Sequence, residues 1–348
     1  MFHLRLCRLL VVSMLELSLM VSPSWAQVAP SFRGLGQFAS GIPSSFAYDV
    51  SGDGSIVVGD LWLNNGEHHA FRWGAAEGVQ LLPNDAVAEA ASFDGSVIVG
   101  QAYWPDTDSQ AAFRWTAGEG MQRLPLLDAH DVSADGNVVV AFALRWTAPG
   151  TVENLGGGHV LSAEGVSAEG QVVVGWFVTD IVDRFGNQVH AFRWTPATGI
   201  KDLGTLRDGT ESIAEGISAN GSVVVGQARD KDMFWHAFRW TATTGMQDLR
   251  TLGGTMSAAS ATSADGSVIV GRSLITSALG SERAFRWTTK NQMQDLRREL
   301  LNAGVTAVQN WVLITATSVS ADGTVIVGYG RNPNKQWEAF RAVLPVPR

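Results

Sequence analysis

Short apolar runs alternate with glycine-containing turns along most of this chain. An Asp or Asn followed by Gly accepts the positive backbone angles of tight hairpin turns, so each such turn predicts a hairpin between two strands. Seven segments share a turn of this type and the β-branched run that follows it: VSGDGSIVVG (50–59), ASFDGSVIVG (91–100), VSADGNVVVA (132–141), VSAEGQVVVG (166–175), ISANGSVVVG (217–226), TSADGSVIVG (262–271) and VSADGTVIVG (319–328).

Each apolar run predicts a strand that is covered on both faces, because runs such as VIVG and VVVG show no polar alternation. A second motif follows every run: AFRW or a variant of it, at 70–73, 112–115, 143–146, 191–194, 237–240, 284–287 and 339–342. Polar residues then return in short segments such as GMQDL. We therefore predict four short strands in each repeat unit, and we number the units one to seven in chain order.

The spacing of the repeats favours one architecture. The glycines of the seven turns are 34 to 57 residues apart, a period that is typical of solenoids, propellers and arrays. Four antiparallel strands per unit with dry inner strands favour the blade of a propeller. A two-sheet sandwich would leave one face of each strand polar. The sequence thus predicts an all-β fold, a seven-bladed β-propeller of four-stranded antiparallel blades.

Two units depart from the pattern. Unit seven stops after AFRAVLPVPR (339–348) with no fourth strand, while FRGLGQF (32–38) resembles the fourth-strand text KDLGTL (201–206). We expect this N-terminal segment to supply the missing strand and close the ring, which would hide the sheet edges. Unit three takes only 10 residues from Gly136 to Trp146, so we expect a degenerate blade with almost no loop.

The N-terminus has the three parts of a secretory signal peptide. Arg5 and Arg8 precede an apolar run at 9–21, and small residues stand at the −3 and −1 positions of a cut after Ala26. The run of 13 residues is short for a membrane span. We expect residues 1–26 to be removed and residues 27–348 to form the propeller. The mature protein would then be secreted, at the cell surface or in the periplasm, without membrane insertion.

Composition and motifs narrow the chemistry. A net charge of −8 argues against a nucleic-acid partner. The single cysteine, Cys7, lies within residues 1–26, and the chain has no HExxH or GxSxG motif. A calcium loop needs six or more oxygen ligands, whereas each turn offers one carboxylate. We therefore predict no metal site, no cofactor and no catalytic residue.

The repeated motifs resemble those of the bacterial HAF family of extracellular repeat proteins. The His-Ala-Phe sequence for which the family is named stands at 69–71, 190–192 and 236–238, and the resemblance covers residues 47–342. It implies a secreted repeat protein with a predicted β-propeller fold. It implies no particular activity.

The arginine and tryptophan of the third strands have a structural interpretation. Guanidinium groups stack on aromatic rings and fork onto carboxylates, so we expect the arginines to pair with the acids of the turns rather than to bind an anion. These structural repeat residues are Arg72, Arg114, Arg145, Arg193, Arg239, Arg286 and Arg341, with Trp73, Trp115, Trp146, Trp194, Trp240 and Trp287.

The loops between second and third strands share no common text. Divergent loops on a repeated scaffold place function on one face, and soluble proteins seldom expose clustered aromatic rings without a partner. The alternative is that these rings extend the packing between blades. The candidate ligand-binding residues are Trp62, Tyr103, Trp104, Phe177, Phe185, Phe234, Trp235 and Trp337.

These features predict an extracellular binding module whose ligand is a glycan or a protein held on one propeller face. One alternative is a propeller enzyme, a glycan hydrolase or lyase, with carboxylates in the central channel. Another is a purely structural module of the cell surface. The enzyme would require paired acids near the inner strands, where the candidates Glu89, His130–Asp131, Glu164 and Glu215 stand scattered singly along the sequence.

Overall fold

The computed structural model describes residues 29–36, 44–63, 67–156, 161–183 and 186–347. The expected signal peptide and Phe185 lie outside these ranges. Within them, no helix is both long enough and apolar enough to span a bilayer.

The strands follow the order that the repeats predict. β1 (Ser31–Gly34) precedes units one to four, which contain β2 (Ser44–Val50), β3 (Ile56–Trp62), β4 (His68–Gly74), β5 (Gly78–Leu81), β6 (Ala86–Ala91), β7 (Val97–Trp104), β8 (Ser109–Thr116), β9 (Gly120–Arg123), β10 (Asp131–Val132), β11 (Val138–Ala141), β12 (Leu144–Thr147), β13 (Thr151–Asn154), β14 (Leu161–Val166), β15 (Val173–Asp183), β16 (Gly186–Thr195) and β17 (Gly199–Asp202). Units five to seven contain β18 (Ser212–Ile217), β19 (Val223–Arg229), β20 (Trp235–Thr241), β21 (Gly245–Asp248), β22 (Ser257–Thr262), β23 (Val268–Leu274), β24 (Glu282–Thr288), β25 (Gln292–Asp295), α1 (Leu296–Asn302), a 3-10 turn (Thr306–Val308), β26 (Val312–Val319), β27 (Val325–Arg331) and β28 (Trp337–Val343).

Each of units two to six forms one antiparallel four-stranded sheet with its strands in sequence order. Units one and seven share an eight-stranded sheet, in which a single parallel bridge from Ser44 to Trp337 joins β2 to β28. β1 pairs antiparallel with β28, from Ser31 opposite Val343 to Gly34 opposite Phe340. The N-terminal segment therefore supplies the fourth strand of unit seven, as its sequence predicted.

The predicted shortening of unit three is also observed. β10 has two residues, and β11 and β12 have four each. The second strands of the other units have seven to eleven residues. All four strands of unit three are nevertheless present and paired.

Backbone hydrogen bonds join the turns between first and second strands into a closed circle, which we call the turn ring. In units two to seven the residue after the turn serine donates its N–H to the carbonyl at the same position of the next unit. Five of these bonds measure 3.0 Å and run in order along Phe93, Ala134, Ala168, Ala219, Ala264 and Ala321. Unit one closes the circle, because Ala321 donates to the Gly52 carbonyl at 2.8 Å and Asp53 donates to the Phe93 carbonyl at 2.9 Å.

The serine hydroxyl of each turn accepts from the backbone N–H five residues on, and in five units it also donates to the turn aspartate. In unit three the Ser133 hydroxyl donates to Asp135 at 2.6 Å and accepts from the Val138 N–H at 2.9 Å. Asp135 also accepts from the Asn137 N–H at 3.0 Å. The pKa of Asp135 is lowered, first by the hydrogen bond from Ser133. Since the carboxylate is occupied within its own turn, the expectation that turn acids pair with third-strand arginines was wrong.

Glycine is required in these turns for two separate reasons. Gly221 has a φ of 70°, which side chains rarely adopt, and a Cβ there would lie 2.6 Å from Cγ2 of Val172 in the preceding unit. The same relation crosses from unit one to unit seven, where a Cβ on Gly54 would lie 2.8 Å from Val325. The glycine thus permits the close approach of neighbouring units at the turn ring.

Apolar side chains fill the space between neighbouring units. One cluster joins Ile56 and Val58 of unit one to Ala86 and Ala88 of unit two. Six of the seven AFRW-like motifs have a phenylalanine, and it is fully buried in each: Phe71, Phe113, Phe192, Phe238, Phe285 and Phe340. Each unit therefore depends on the next to cover its apolar faces, as expected for a repeat architecture.

We predict that Gly221→Ala destabilises the protein more than Gly245→Ala. Gly245 has a similar φ of 66° but no atom within 4 Å of its would-be Cβ. The control should lose about 1–2 kcal/mol from backbone strain alone. The Val172 clash should add about 1–3 kcal/mol at Gly221. Equal losses in chemical denaturation would show that the turn glycine does not serve inter-unit packing.

Candidate functional site

The first strands of all seven units surround one cavity of 220 Å³. Among its lining residues, one position recurs in every unit: Tyr48, Glu89, His130, Glu164, Glu215, Ser260 and Thr317. In the six units other than unit three, the strand register shifts at this residue. A bulge redirects a side chain out of the regular pleat. We call these seven residues the bulge ring.

A larger adjoining cavity of 530 Å³ collects the ionisable members of this ring. It is lined by Glu89, Asp128, His130, Glu164, Ile213, Glu215 and Ser260, and we call it the channel cavity. Four carboxyl groups and one imidazole therefore meet on units two to five. In the part of the chain that the structure describes, no group of three or more His, Cys, Asp or Glu side chains is placed to hold a metal ion.

This convergence corrects the sequence-based view of these acids as scattered singly. Each bulge-ring residue stands three positions before the serine of its turn, as Glu89 does before Ser92 and Glu164 before Ser167. Aligning the units on that serine would have placed the residues in one column. Paired acids were expected within one unit, whereas the acids of different units come together here.

His130 is the cationic centre of the channel cavity. Its Nδ1 lies 2.8 Å from the Ala163 carbonyl and 3.3 Å from Glu164, and its Nε2 lies 3.7 Å from Asp128. Burial opposes protonation, but the interactions with Asp128 and Glu164 outweigh it and raise the pKa of His130 to about 10. The imidazolium in turn keeps Glu164 ionised, and Trp176 Nε1 donates to the same carboxylate at 3.1 Å.

Two other glutamates in the cavity have the opposite shift. Burial, reinforced by repulsion from Asp128, raises the pKa of Glu89 to about 7. Burial also raises the pKa of Glu215 to about 7, although Gln227 donates to it at 2.8 Å. The cavity thus holds ionised and partly protonated carboxyl groups side by side at neutral pH.

Asp131 and Asp49 lie next to the bulge ring and have structural contacts. Asp131 accepts from the Val166 N–H of the next unit at 2.8 Å. Asp49 accepts from the Ala91 N–H at 2.9 Å and from the Ser318 hydroxyl at 2.6 Å. These carboxylates join first strands of neighbouring units, so we assign Asp131 to the scaffold and not to the candidate site.

The third-strand arginines also join neighbouring units. Nε of Arg114, Arg145 and Arg193 donates to the turn-glycine carbonyl of the following unit at 3.0–3.1 Å. Arg341 closes this series, since its Nη2 donates to the Gly54 carbonyl at 3.1 Å.

The arginines of three units differ. Arg72 forms an ion pair with Glu77 at 3.6 Å, and Arg286 binds both oxygens of Glu299 on α1. In the described ranges the buried Nε of Arg239 has no hydrogen-bond partner. The companion tryptophans are buried at Trp73, Trp146, Trp194, Trp240 and Trp287, and half-buried at Trp115.

The predicted loop aromatics fall into three groups. Trp62, Tyr103 and Phe234 are exposed. Trp104, Trp235 and Trp337 are half-buried, and each lies under an arginine of its own unit. Phe177 does not fit the expected surface, because only 9% of it is exposed and it belongs to the core beside Leu161 and Phe192.

Trp62 and Trp337 both contact Phe46 in an aromatic cluster where units one and seven join. The Phe46 ring lies 6.4 Å from Trp62, 5.9 Å from Trp337 and 5.1 Å from Tyr329, between centroids. We call Phe46, Trp62, Tyr329 and Trp337 the rim cluster. Phe46 and Tyr329 were not among the candidate residues; Phe46 lies on a first strand, outside the segments between second and third strands. No such contact brings Tyr103, Trp104, Phe234 and Trp235 together among the described residues.

A buried carboxylate fixes Trp62 in place. Its Nε1 donates to Asp60 at 2.6 Å, and the ring lies 4.0 Å from His68. Asp60 is only 1% exposed, and His68 Nδ1 lies 3.2 Å from the same oxygen. Burial raises the pKa of Asp60, although the contacts with His68 and Trp62 oppose the shift.

Comparison with solved structures identifies the fold. The β-propeller domain of the Trilobed protease from Pyrococcus furiosus, reported to have an open velcro topology, matches with a TM-score of 0.60 and 9% identity over 87% of this chain and 94% of that domain. At this identity the likeness shows the fold alone, and the fold is that of a β-propeller. No protein-family model and no curated protein matches the chain.

Two further structures are more distant. TolB from Acinetobacter baumannii gives a TM-score of 0.43 at 13% identity, over 85% of this chain and 65% of that one. A putative TolB from Agrobacterium tumefaciens gives 0.45 at 12% identity, over 92% and 99%. At these scores neither likeness supports a conclusion about function.

We predict that Glu89→Gln stabilises the protein at about pH 8 and not at about pH 4. The folded pKa of about 7 exceeds the ordinary value of 4.5, so ionisation lowers stability as the pH rises between these values. Glutamine removes that loss. Thermal unfolding at both pH values measures it, with the exposed Glu119→Gln as control. A change in melting temperature that is the same at both pH values would contradict the assigned shift.

Proposed function

We propose that this chain is a secreted, seven-bladed β-propeller of the HAF type that binds an extracellular glycan in its channel. Seven four-stranded units, the turn ring that returns from Ala321 to Gly52, and the pairing of β1 with β28 support the blade count and closure. The N-terminal pattern of residues 1–26 supports secretion.

The channel cavity is the observation on which this proposal rests. Its volume of 530 Å³ is within the range of ligand pockets. The ionised Glu164 and Asp128 can accept hydrogen bonds from sugar hydroxyls. Glu89, which is partly protonated near neutral pH, can donate as well as accept. Such alternating donors and acceptors suit a polyhydroxylated ligand.

The short unit three gives the ligand an apolar contact beside these polar groups. Phe142 has a φ of 44° and stands at the junction of β11 and β12, where the other units carry a loop. Its ring is 45% exposed and lies 5.1 Å from the His130 ring. Aromatic rings of this kind pack on the apolar face of a sugar.

A specific observation also favours the second candidate function, which is that of a glycan hydrolase or lyase. The pKa of Glu89 is raised and that of Glu164 is lowered within one cavity. Carboxyl groups whose pKa values are pushed apart are the pattern of an acid and a base. On this alternative Glu89 would donate a proton to the leaving oxygen, and Glu164 would act as the base or nucleophile.

We predict that Glu164→Gln weakens glycan binding by about tenfold or more, because a charge-assisted hydrogen bond is lost in a partly buried site. The purified mature protein is screened on an array of bacterial and plant polysaccharides, with the exposed Glu119→Gln as control. Binding by wild type that is unchanged in Glu164→Gln, or no glycan bound at all, would contradict the proposal. Shortened saccharide products from the wild type alone would favour the enzyme.

A further inference from the structure

We infer that the rim cluster is a second glycan subsite, which stacks a neutral pyranose ring on Trp62 at the mouth of the channel. This inference rests on the proposed function, since it assumes that the ligand is a glycan. The inference specifies where the sugar lies, which aromatic ring it stacks on and which class of sugar it is. The channel cavity specifies none of these.

The exposure of Trp62 is the first argument. The side chain is 44% exposed although Phe46 and His68 lie against it. Its only polar group is already satisfied inside the protein, because Nε1 donates to Asp60. The part left open to solvent is therefore apolar ring, which gains nothing from water and is suited to the C–H face of a pyranose.

The burial of Asp60 is the second and independent argument. Its Oδ1 is buried and has no hydrogen-bond partner among the described residues. Burying a carboxylate with one oxygen unpaired lowers stability. The other oxygen of the same carboxylate accepts the hydrogen bond of Trp62 and contacts His68. The unfavourable burial of Asp60 therefore accompanies a fixed orientation of the Trp62 ring. A ring held in one orientation loses little conformational entropy when a ligand binds.

The surroundings of Trp62 define the ligand. Arg331 lies over the Trp337 ring at 3.8 Å, so a cation and the His68 ring border the rim cluster. Glu338, the acid on β28, is buried and bonded to Asn332 at 2.7 Å. Arginine and histidine N–H groups donate to sugar hydroxyls, whereas an amino sugar would meet positive charge. An acidic saccharide that continued into the channel would meet its four carboxyl groups, so the rim cluster fits a neutral hexopyranose.

The place of the rim cluster relative to the channel gives it a role in an extended ligand. Phe46 precedes Tyr48 of the bulge ring by two residues on β2, a separation of about 7 Å along a strand. Tyr329 lies on β27 of the adjoining unit and contacts Phe46. An oligosaccharide that stacks on Trp62 could thus continue into the channel.

The test is calorimetric binding of cellohexaose, maltohexaose and mannohexaose to the mature protein and its variants. We expect one of these neutral probes to bind, Trp62→Ala to weaken it about tenfold, and Trp62→Phe to weaken it by only about threefold. Phe93→Ala is the matched control, because Phe93 is 50% exposed, lies in the turn of unit two and corresponds to an alanine in five other units. It should leave affinity unchanged.

Asp60 is tested as a positioning residue by rescue. Asp60→Ala removes the acceptor for Trp62 Nε1, whereas Asp60→Asn keeps an acceptor oxygen at similar volume. We expect the alanine variant to weaken binding about threefold, as Trp62→Phe does, and the asparagine variant to bind nearly as wild type, with melting temperatures recorded for both. Equal loss of affinity in the two variants would remove Asp60 from this role.

The outcomes separate this inference from the proposed function. Unchanged affinity in Trp62→Ala overturns the rim subsite and leaves the channel proposal standing. Failure of all three neutral probes to bind wild type also overturns it, even if the polysaccharide array identifies another glycan whose binding depends on Glu164. Loss of binding in Trp62→Ala but not in Glu164→Gln supports the rim cluster and contradicts the channel.

Discussion

The circular exchange of backbone hydrogen bonds in the turn ring is the constraint on which the rest of the molecule depends. It requires seven turns of one shape, each held by a serine and most by an acid, as Ser133 and Asp135 hold theirs. It also requires glycine at the point where neighbouring units touch, as Gly221 touches Val172. A single turn of another shape would leave two backbone groups without partners, at a cost comparable to a lost hydrogen bond each.

Because the same few residues determine the fold of every unit, other positions of the repeat are free to vary. The bulge-ring position is the most important of these for the chemistry of the channel. It contains Tyr, Glu, His, Glu, Glu, Ser and Thr in order, and it projects them toward a common centre. The scaffold therefore determines where the side chains meet, and the identity of each determines the chemistry. Burial raises the pKa of Glu89, whereas the hydrogen bond and charge of His130 outweigh burial at Glu164 and lower its pKa.

The strands, the hairpin turns and the pairing of β1 with β28 could be predicted from the sequence, because they follow from local patterns and repeated text. The partner of Arg145 could not be predicted. Its Nε donates to the carbonyl of Gly170 in the next unit, whereas Asp135, the turn acid of its own unit, is closer in sequence. Phe177 stands in a variable segment yet packs into the core, because it lies within β15 at the position where the equivalent Leu61 and Ala102 of other second strands are also buried. The channel cavity was missed because its members lie in different units. Only the ring brings Glu89 and Glu215 together.

Native-state amide hydrogen exchange can measure whether the hydrogen bonds of the turn ring are as stable as those of the core. The N–H groups of Ala134, Ala168 and Ala219 lie in surface turns, where exchange is ordinarily fast, yet each is bonded to the next unit. If the turn ring holds neighbouring units together, these N–H groups exchange only through global unfolding. Their free energy of opening then equals that of the buried strand residue Val224. Exchange at the rate of an exposed turn residue such as Gly118 would contradict it.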